Sequence, residues 1–376
     1  MKILEVIAEP ILHGGEESFI LNTLCAMDKN GLDIDIFTPC FTDNIDFTDK
    51  CRNMGIRVYA AGYPWQPIFK KNIIDLKNGL DAFLKKRRYD IVHIHSGSIF
   101  ALAFGAYTAK KYGAKKVIVH SHGSAPKINL KKMLTIDLGD KLLRKNADVF
   151  CACSKEAGLA KFKTDIVRDK LIIIKNGIDT ERFAFDKEKR KIWRENLGIE
   201  NDEFIIGSVG RLSWEKNHKF LIDVFYEYLK IDSKAKLLLV GDGELRQELK
   251  RKCGFLDLRD NVIFAGNVDN IEDYYCCMDL FAFPSVFEGL GISVIEAQAS
   301  GLPCIMSDNV PKLAAVSENV RSIKTDNATE WAEVIRRYKN AERCSGSECV
   351  KRAGFDIKNT AENVRNIYLE NRDDLG

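Results

Sequence analysis

One stretch, Phe283 to Pro303, constrains the fold more than any other part of this chain. Asp279 to Phe283 is a short apolar run closed by Pro284, the pattern of a buried strand. Gly289 and Gly291 bracket a loop in which no side chain keeps a ligand away from the backbone. From Ile292 to Ser300 apolar residues recur at helical spacing, and Gly301 and Pro303 stop the helix. A strand that runs through a glycine loop into a helix leaves free amides at the positive end of the helix dipole, which suits a phosphate or sugar oxygens. Glu288 lies on the loop and Glu296 inside the helix. They are hydrogen-bond acceptors at two depths, an arrangement that can hold two polyhydroxyl groups such as a hexose and a ribose.

The same alternation runs through the chain. Strand signals at Lys2–Ala8, Asp33–Phe37, Ile91–Ser96, Val117–His122, Leu171–Ile174, Phe204–Val209, Lys236–Val240 and Asn261–Ala265 are separated by helical or turn-rich segments. That pattern implies βαβ units and parallel sheets, and 376 residues exceed one ordinary core. Helices are expected over Lys312–Val320, Thr329–Asn340 and Ile357–Asn371, and the charged segment Arg182–Asn201, irregular or helical, reads as a linker region. Ligands of such sheets gather beyond the carboxyl ends of the strands. His95, His120 and His122 are expected there, with His93 deeper as a core residue. The four histidines could hold zinc, but no acidic ligand is expected beside them. The Asp33-x-Asp35 pair lies near the start of its strand, away from that edge, and is not read as a metal site. The turn Gly14-Gly15 opens a helix and can offer amides to an anion. Arg211 and Lys216, on the loop after Phe204–Val209, can grip one diphosphate from two sides and stabilise a leaving group without a metal. Gly241-Asp242-Gly243 begins a dinucleotide fingerprint that Arg246 interrupts, so the dinucleotide-binding motif is incomplete.

Composition narrows the class. Hydrophobic residues make up 45% and charged residues 30%, as in soluble globular proteins, and a net charge of +3 does not call for nucleic acid. Glu5 interrupts the apolar N-terminal run, which reads as a strand rather than a signal peptide. Eleven cysteines without a Cys-x-x-Cys pair imply reduced, buried thiols and a cytoplasmic protein. Basic residues cluster at Lys70-Lys71, Lys85 to Arg88, Lys110-Lys111, Lys115-Lys116 and Lys127 to Lys145. They make either solvated helix faces or a surface resting on anionic lipid at the inner leaflet.

The motifs Pro-Ser-Val-Phe-Glu-Gly-Leu-Gly (284–291), Gly-Arg-Leu followed by Glu-Lys-Asn (210–217) and Asn-Gly-Ile-Asp (176–179) closely resemble those of retaining glycosyltransferases of family 4, over nearly the whole chain. The resemblance implies the GT-B fold: two doubly wound α/β, Rossmann-like domains facing a central cleft. They would be an acceptor-binding domain at 1–185, with the tail helix 357–376 packing back on it, and a donor-binding domain at 200–355. It implies metal-free transfer of a hexosyl unit from a nucleotide sugar, UDP-linked, to the hydroxyl of a glycan or lipid-linked acceptor in exopolysaccharide or capsule synthesis, with no cofactor. By position, Gly14 and Gly15 would face the donor diphosphate and Arg211 and Lys216 would hold it. Val268 would meet the base and Glu296 the ribose. Glu288, with the amides of Gly289, Leu290 and Gly291, would hold the sugar, and His122 would sit near its anomeric carbon. A UDP-sugar 2-epimerase of the same fold and a non-catalytic glycan-binding subunit are the alternatives.

Overall fold

The computed structural model describes residues 1–12, 15–66, 69–122 and 130–370. It falls into two compact units, Met1–Gly177 with Ile357–Gly376, and Ile178–Asp356.

The first unit is a seven-stranded parallel sheet in the order β3-β2-β1-β4-β5-β6-β7. Its strands are β1 (Lys2–Ile7), β2 (Asp33–Thr38), β3 (Arg57–Ala60), β4 (Ile91–Ser96), β5 (Lys116–Ser121), β6 (Val149–Ala152) and β7 (Leu171–Ile173). β4 and β5 are buried along their whole length, as parallel strands covered on both faces must be. Strand alternation sorts their side chains. Leu4, Val6, Val92, Ile94, Val117 and Val119 share one core with the helices Phe69–Lys85 and Ile99–Lys111. Ile3, Ile7, Ile91 and Ile118 share the other with the first helix, Gly15–Ala26, and the tail helix, Ile357–Leu369. Ala361, Val364, Ile367 and Tyr368 anchor that tail helix, and Lys116 Nζ donates to the carbonyl of Ile367 at 2.6 Å. Asp33 and Asp35 are both taken by Arg57, and Asp35 also accepts from Tyr89, which gives this pair a structural role.

The second unit is a six-stranded parallel sheet, β10-β9-β8-β11-β12-β13, from β8 (Ile205–Val209), β9 (Lys236–Val240), β10 (Val262–Gly266), β11 (Leu280–Phe283), β12 (Cys304–Ser307) and β13 (Val320–Ile323). Each sheet starts inside and winds outward before returning on the other side. The order in which successive strands are added across the sheet therefore reverses between β1 and β4 in one unit and between β8 and β11 in the other.

Three expectations need correction. Residues 178–185, placed from sequence with the first domain, belong to the second unit. Ile178 bridges Asp356, and Phe183 packs edge-on against Tyr275 with ring centroids 5.8 Å apart. The charged segment, read as an irregular or helical linker, does carry a helix, Lys187–Asn196, capped by Asp186, but that helix is docked on the second unit rather than linking. Its Arg190 and Arg194 reach the carbonyls that end the helix Ile271–Cys277, which lack intrahelical partners. Finally, Lys312–Val320 is not a helix. Only Lys312–Ala314 makes a turn of 3-10 helix, and Val320 begins β13. The buried Gln298 explains this: its amide oxygen accepts from Val316 N and Ser317 N, and its nitrogen donates to Ala314 O, drawing that segment out straight.

Arg194 is 2% exposed and donates to the carbonyls of Cys277, Glu200 and Glu203 and to Asp279. Arg194→Met removes a buried guanidinium and leaves the Glu203 carbonyl without its donor, while Cys277 and Asp279 keep Arg190, and should cost the second unit about 3 kcal/mol in denaturant unfolding. An unchanged midpoint would show that the helix Lys187–Asn196 does not belong to that unit's folded core.

Candidate active site

In the second unit the loops that follow β8, β9 and β11 meet at the carboxyl edge, where the strand order reverses and such sheets bind ligands. They are laced by backbone. Gly210 N donates to Val240 O at 3.0 Å, Leu212 N to Asp242 O at 3.0 Å, and Val286 N to Glu215 O at 2.8 Å. The approach needs glycine. A Cβ on Gly241, whose φ is +127°, would lie 2.2 Å from the carbonyl oxygen of Gly210. Gly291, with φ of +85°, turns the chain from the loop into the helix Ile292–Ala299. Arg246, which interrupts the dinucleotide pattern, pairs with Asp242 on the loop after β9.

Five of the singled-out residues, Arg211, Lys216, Glu288, Gly289 and Leu290, stand together on these loops. Arg211 is exposed and makes no ion pair among the described residues. Lys216 lies 2.6 Å from Glu288, with its ammonium 4.8 Å from the centre of the Phe283 ring. Glu288 is therefore the counter-ion of Lys216, a pairing that the sequence did not reveal. Gly289 and Leu290 continue the loop, Leu290 buried beneath it. Val268 follows β10 and rests partly buried against the core; its neighbour Gly266 accepts from Gly241 N at 2.8 Å.

Glu296 projects from the second turn of the helix Ile292–Ala299, partly exposed, and accepts from the buried hydroxyl of Tyr275 at 2.8 Å. Burial pushes its carboxyl up to about 7, against the pull of the Tyr275 hydrogen bond and of Arg182 and Lys216. Arg182 is itself held by Glu272 at 2.7 Å. Tyr275, Arg182 and Glu272 were missed from sequence. The first lay in an apolar run, and the others stood outside any motif.

In the first unit the corresponding edge carries a cluster of imidazoles. The register sets Glu5 beside His93 and His95 beside His120, all facing the first and tail helices and all at most 2% exposed. His95 Nε2 lies 2.7 Å from Glu5, and its Nδ1 lies 2.8 Å from His122 Nε2. His93 Nδ1 is 2.8 Å from the hydroxyl of Tyr368, which also bonds the other oxygen of Glu5. Phe19, from the first helix, covers His120 and His122 with ring centroids 5.0 Å away. Gly15 is the first residue of that helix, and Gly14 lies outside the described residues.

The expectation that no acidic group sits beside these histidines was therefore mistaken, because Glu5 arrives from a neighbouring strand. Nitrogens of His93, His95 and His120 come within 4.8 Å of one another, a spacing a metal ion could bridge, but both nitrogens of His95 already have partners. Burial would raise the pKa of Glu5; interaction with His93 and hydrogen bonds from His93 and His95 outweigh it and hold the carboxyl well below the usual range. Burial brings His95 down to about 4 and holds His120 and His122 well below the ordinary imidazole value. Glu5 is thus held as a buried carboxylate, and its neighbours His95, His120 and His122 are held toward their neutral forms.

Comparison with known proteins agrees with this architecture. The family model for Glycosyltransferase Family 4 matches residues 13–182, and that for glycosyl transferases group 1 matches residues 189–353. EpsF of Bacillus subtilis, named as a glycosyltransferase, is 29% identical over 367 residues, covering 94% of this chain and 93% of its own. An Escherichia coli UDP-Gal:alpha-D-GlcNAc-diphosphoundecaprenol alpha-1,3-galactosyltransferase is 30% identical over 252 residues, 63% of this chain and 62% of that protein. Among solved structures, HepE of Anabaena in complex with UDP superposes with a TM-score of 0.77 at 19% identity, covering 98% of this chain and 99% of that one. With each half of the chain matched by its own family model and the whole fold shared, the chain belongs to the GT-B glycosyltransferases, pairing a family 4 half with a group 1 half.

Proposed function

We propose that this protein transfers a hexosyl unit from a UDP-sugar to an acceptor hydroxyl, with retention at the anomeric carbon and without a metal ion. The observation that carries the reading is the placement of Arg211 and Lys216 on one loop, hydrogen-bonded through Glu215 to the glycine loop that leads into the helix bearing Glu296. A diphosphate at this edge would meet an exposed guanidinium, a lysine that can exchange Glu288 for phosphate, and the amides of Gly289, Leu290 and Gly291. Fixed cations stabilise the charge that develops on a departing diphosphate, which is the service a metal would otherwise give. Glu288, released from Lys216, is then available to the sugar hydroxyls, and Glu296, steadied by Tyr275, accepts from the ribose. Val268 would lie against the base, Gly15 toward the diphosphate, and His122 would accept a hydrogen bond from a sugar or acceptor hydroxyl. The UDP complex of the Anabaena structure and the UDP-Gal donor named for the E. coli relative support the choice of nucleotide. The alpha linkage in that name supports retention.

The same relative's undecaprenol-linked acceptor supports a lipid-linked glycan here, in exopolysaccharide or capsule synthesis. Among the described residues no helix is long and apolar enough to cross a membrane. Of the basic clusters, Lys110, Lys111 and Lys115 are already paired with Asp148, Asp81 and Asp90. The helix Phe69–Lys85 and the turns around it instead present Lys70, Lys71, Lys85 and Lys86 beside the exposed Trp65 and Ile74, a composition suited to the surface of an anionic inner leaflet.

Three measurements test this reading. Arg211→Ala and Lys216→Ala should each lower kcat with a UDP-sugar by on the order of 10²-fold, the loss expected for one preorganised charge; full turnover in both would refute it. The Glu296 carboxyl is protonated below about pH 7 and gains charge as pH rises through that value. UDP affinity should therefore fall as pH drops below about 7, by at most about tenfold per unit, and Glu296→Gln should flatten the dependence in titration calorimetry. Sedimentation with anionic vesicles should weaken in salt and in a Lys70→Glu, Lys71→Glu double variant, whereas neutral vesicles should not retain the protein.

A further inference from the structure

We propose that Glu5 and His95 are positioning residues for His122: the buried carboxylate, acting through the His95 ring, fixes the His122 tautomer so that Nδ1 is the hydrogen-bond acceptor offered to a sugar or acceptor hydroxyl. This rests on the role given to His122 above.

The assignment follows from counting protons along the hydrogen bonds. Glu5 is ionised, and a carboxylate only accepts. The 2.7 Å contact with His95 Nε2 therefore places the proton on that nitrogen. A neutral imidazole carries one N–H, so His95 Nδ1 is a lone pair. It lies 2.8 Å from His122 Nε2, which must then be the donor. The single proton of a neutral His122 ring is spent on that bond, and its Nδ1 is left bare. In a histidine the hydrogen bond at one nitrogen decides what the other can do.

A second branch obeys the same rule and ends on the same carboxylate. The Tyr368 hydroxyl donates to the free oxygen of Glu5, so its own oxygen accepts from His93 Nδ1, 2.8 Å away; the same N–H also lies toward the Glu5 oxygen that His95 uses, with Nδ1 3.3 Å from it. Both oxygens of Glu5 are thereby used, one by the tail helix and one by the strand that leads to His122. No other arrangement of protons on neutral rings satisfies all four contacts while the carboxylate is charged. His122 Nδ1 has no hydrogen-bond partner among the described residues, although the ring is held by His95 on one side and Phe19 on the other. A ring fixed this firmly, with its one acceptor atom unused among the described residues, is prepared for a hydroxyl donor. The relay also consumes the lone pair of His95 that a metal would need.

The test begins with the unmodified protein. It contains six histidines, so labelling with ring-15N histidine gives a spectrum small enough to assign by single substitutions. The relay requires His95 and His122 as Nε2–H tautomers and His93 as Nδ1–H. Finding His122 as Nδ1–H, or stoichiometric zinc bound through His95, would overturn it whether or not the protein proves to be a transferase. The kinetic arm compares His95→Leu with His95→Gln. A glutamine amide can still donate to Glu5 and accept from His122, and leucine can do neither. The leucine variant should lose on the order of tenfold or more in kcat with little change in the donor KM, the size seen when residues supporting an active group are removed, and the glutamine variant should recover most of it. Equal kcat in both variants would refute the positioning role, and their circular dichroism separates that result from loss of fold.

Discussion

The close approach of two backbones, at Gly210 and Gly241, is the constraint on which the donor-site geometry depends. The oxygen of Gly210 fills the space a side chain on residue 241 would need. Because the loops after β8 and β9 touch there, the loop carrying Arg211 and Lys216 has little freedom. It is tied a second time, by the bond from Val286 to Glu215, to the loop that carries Glu288. A site assembled from loops thus gains much of the rigidity of the sheet beneath it. Preorganisation of this kind is what lets a fixed charge stabilise a leaving group without first reorganising.

The two units solve opposite electrostatic problems with the same topology. The second unit keeps cations at its edge, one exposed and one balanced by a partly buried glutamate, where an incoming anion can take the glutamate's place. The first unit buries one carboxylate and covers it with four imidazoles and a tyrosine hydroxyl. A buried charge survives only when its hydrogen-bonding capacity is filled. Here the donors that fill it come from β4 and from the tail helix, so the polar cluster and the return of the chain's end to the first sheet are parts of one structure.

Much of this was legible in the sequence because it is written locally. The strand, glycine loop and helix around Gly289 and Gly291 announce themselves by spacing, and so do Arg211 and Lys216 on the loop after a strand. What was not legible depends on pairings between distant segments. Glu5 was visible as a charge inside an apolar strand, but nothing in the sequence said that it meets His95. Tyr368 lay in a segment read only as a tail helix, with no partner indicated for its hydroxyl. The helical pattern at Lys312–Val320 was overruled by Gln298, a single buried side chain on another element. Short apolar strands such as β6 and β12 carry too few residues for a periodic signal.

The central claim is that a nucleotide diphosphate binds at the point where the strand order of the second sheet reverses. Hydrogen–deuterium exchange with and without UDP tests it most directly. The account predicts slowed exchange at residues 210–217 and 284–296, with little change along the outer strands β12 and β13. UDP binding that protects neither loop would contradict it.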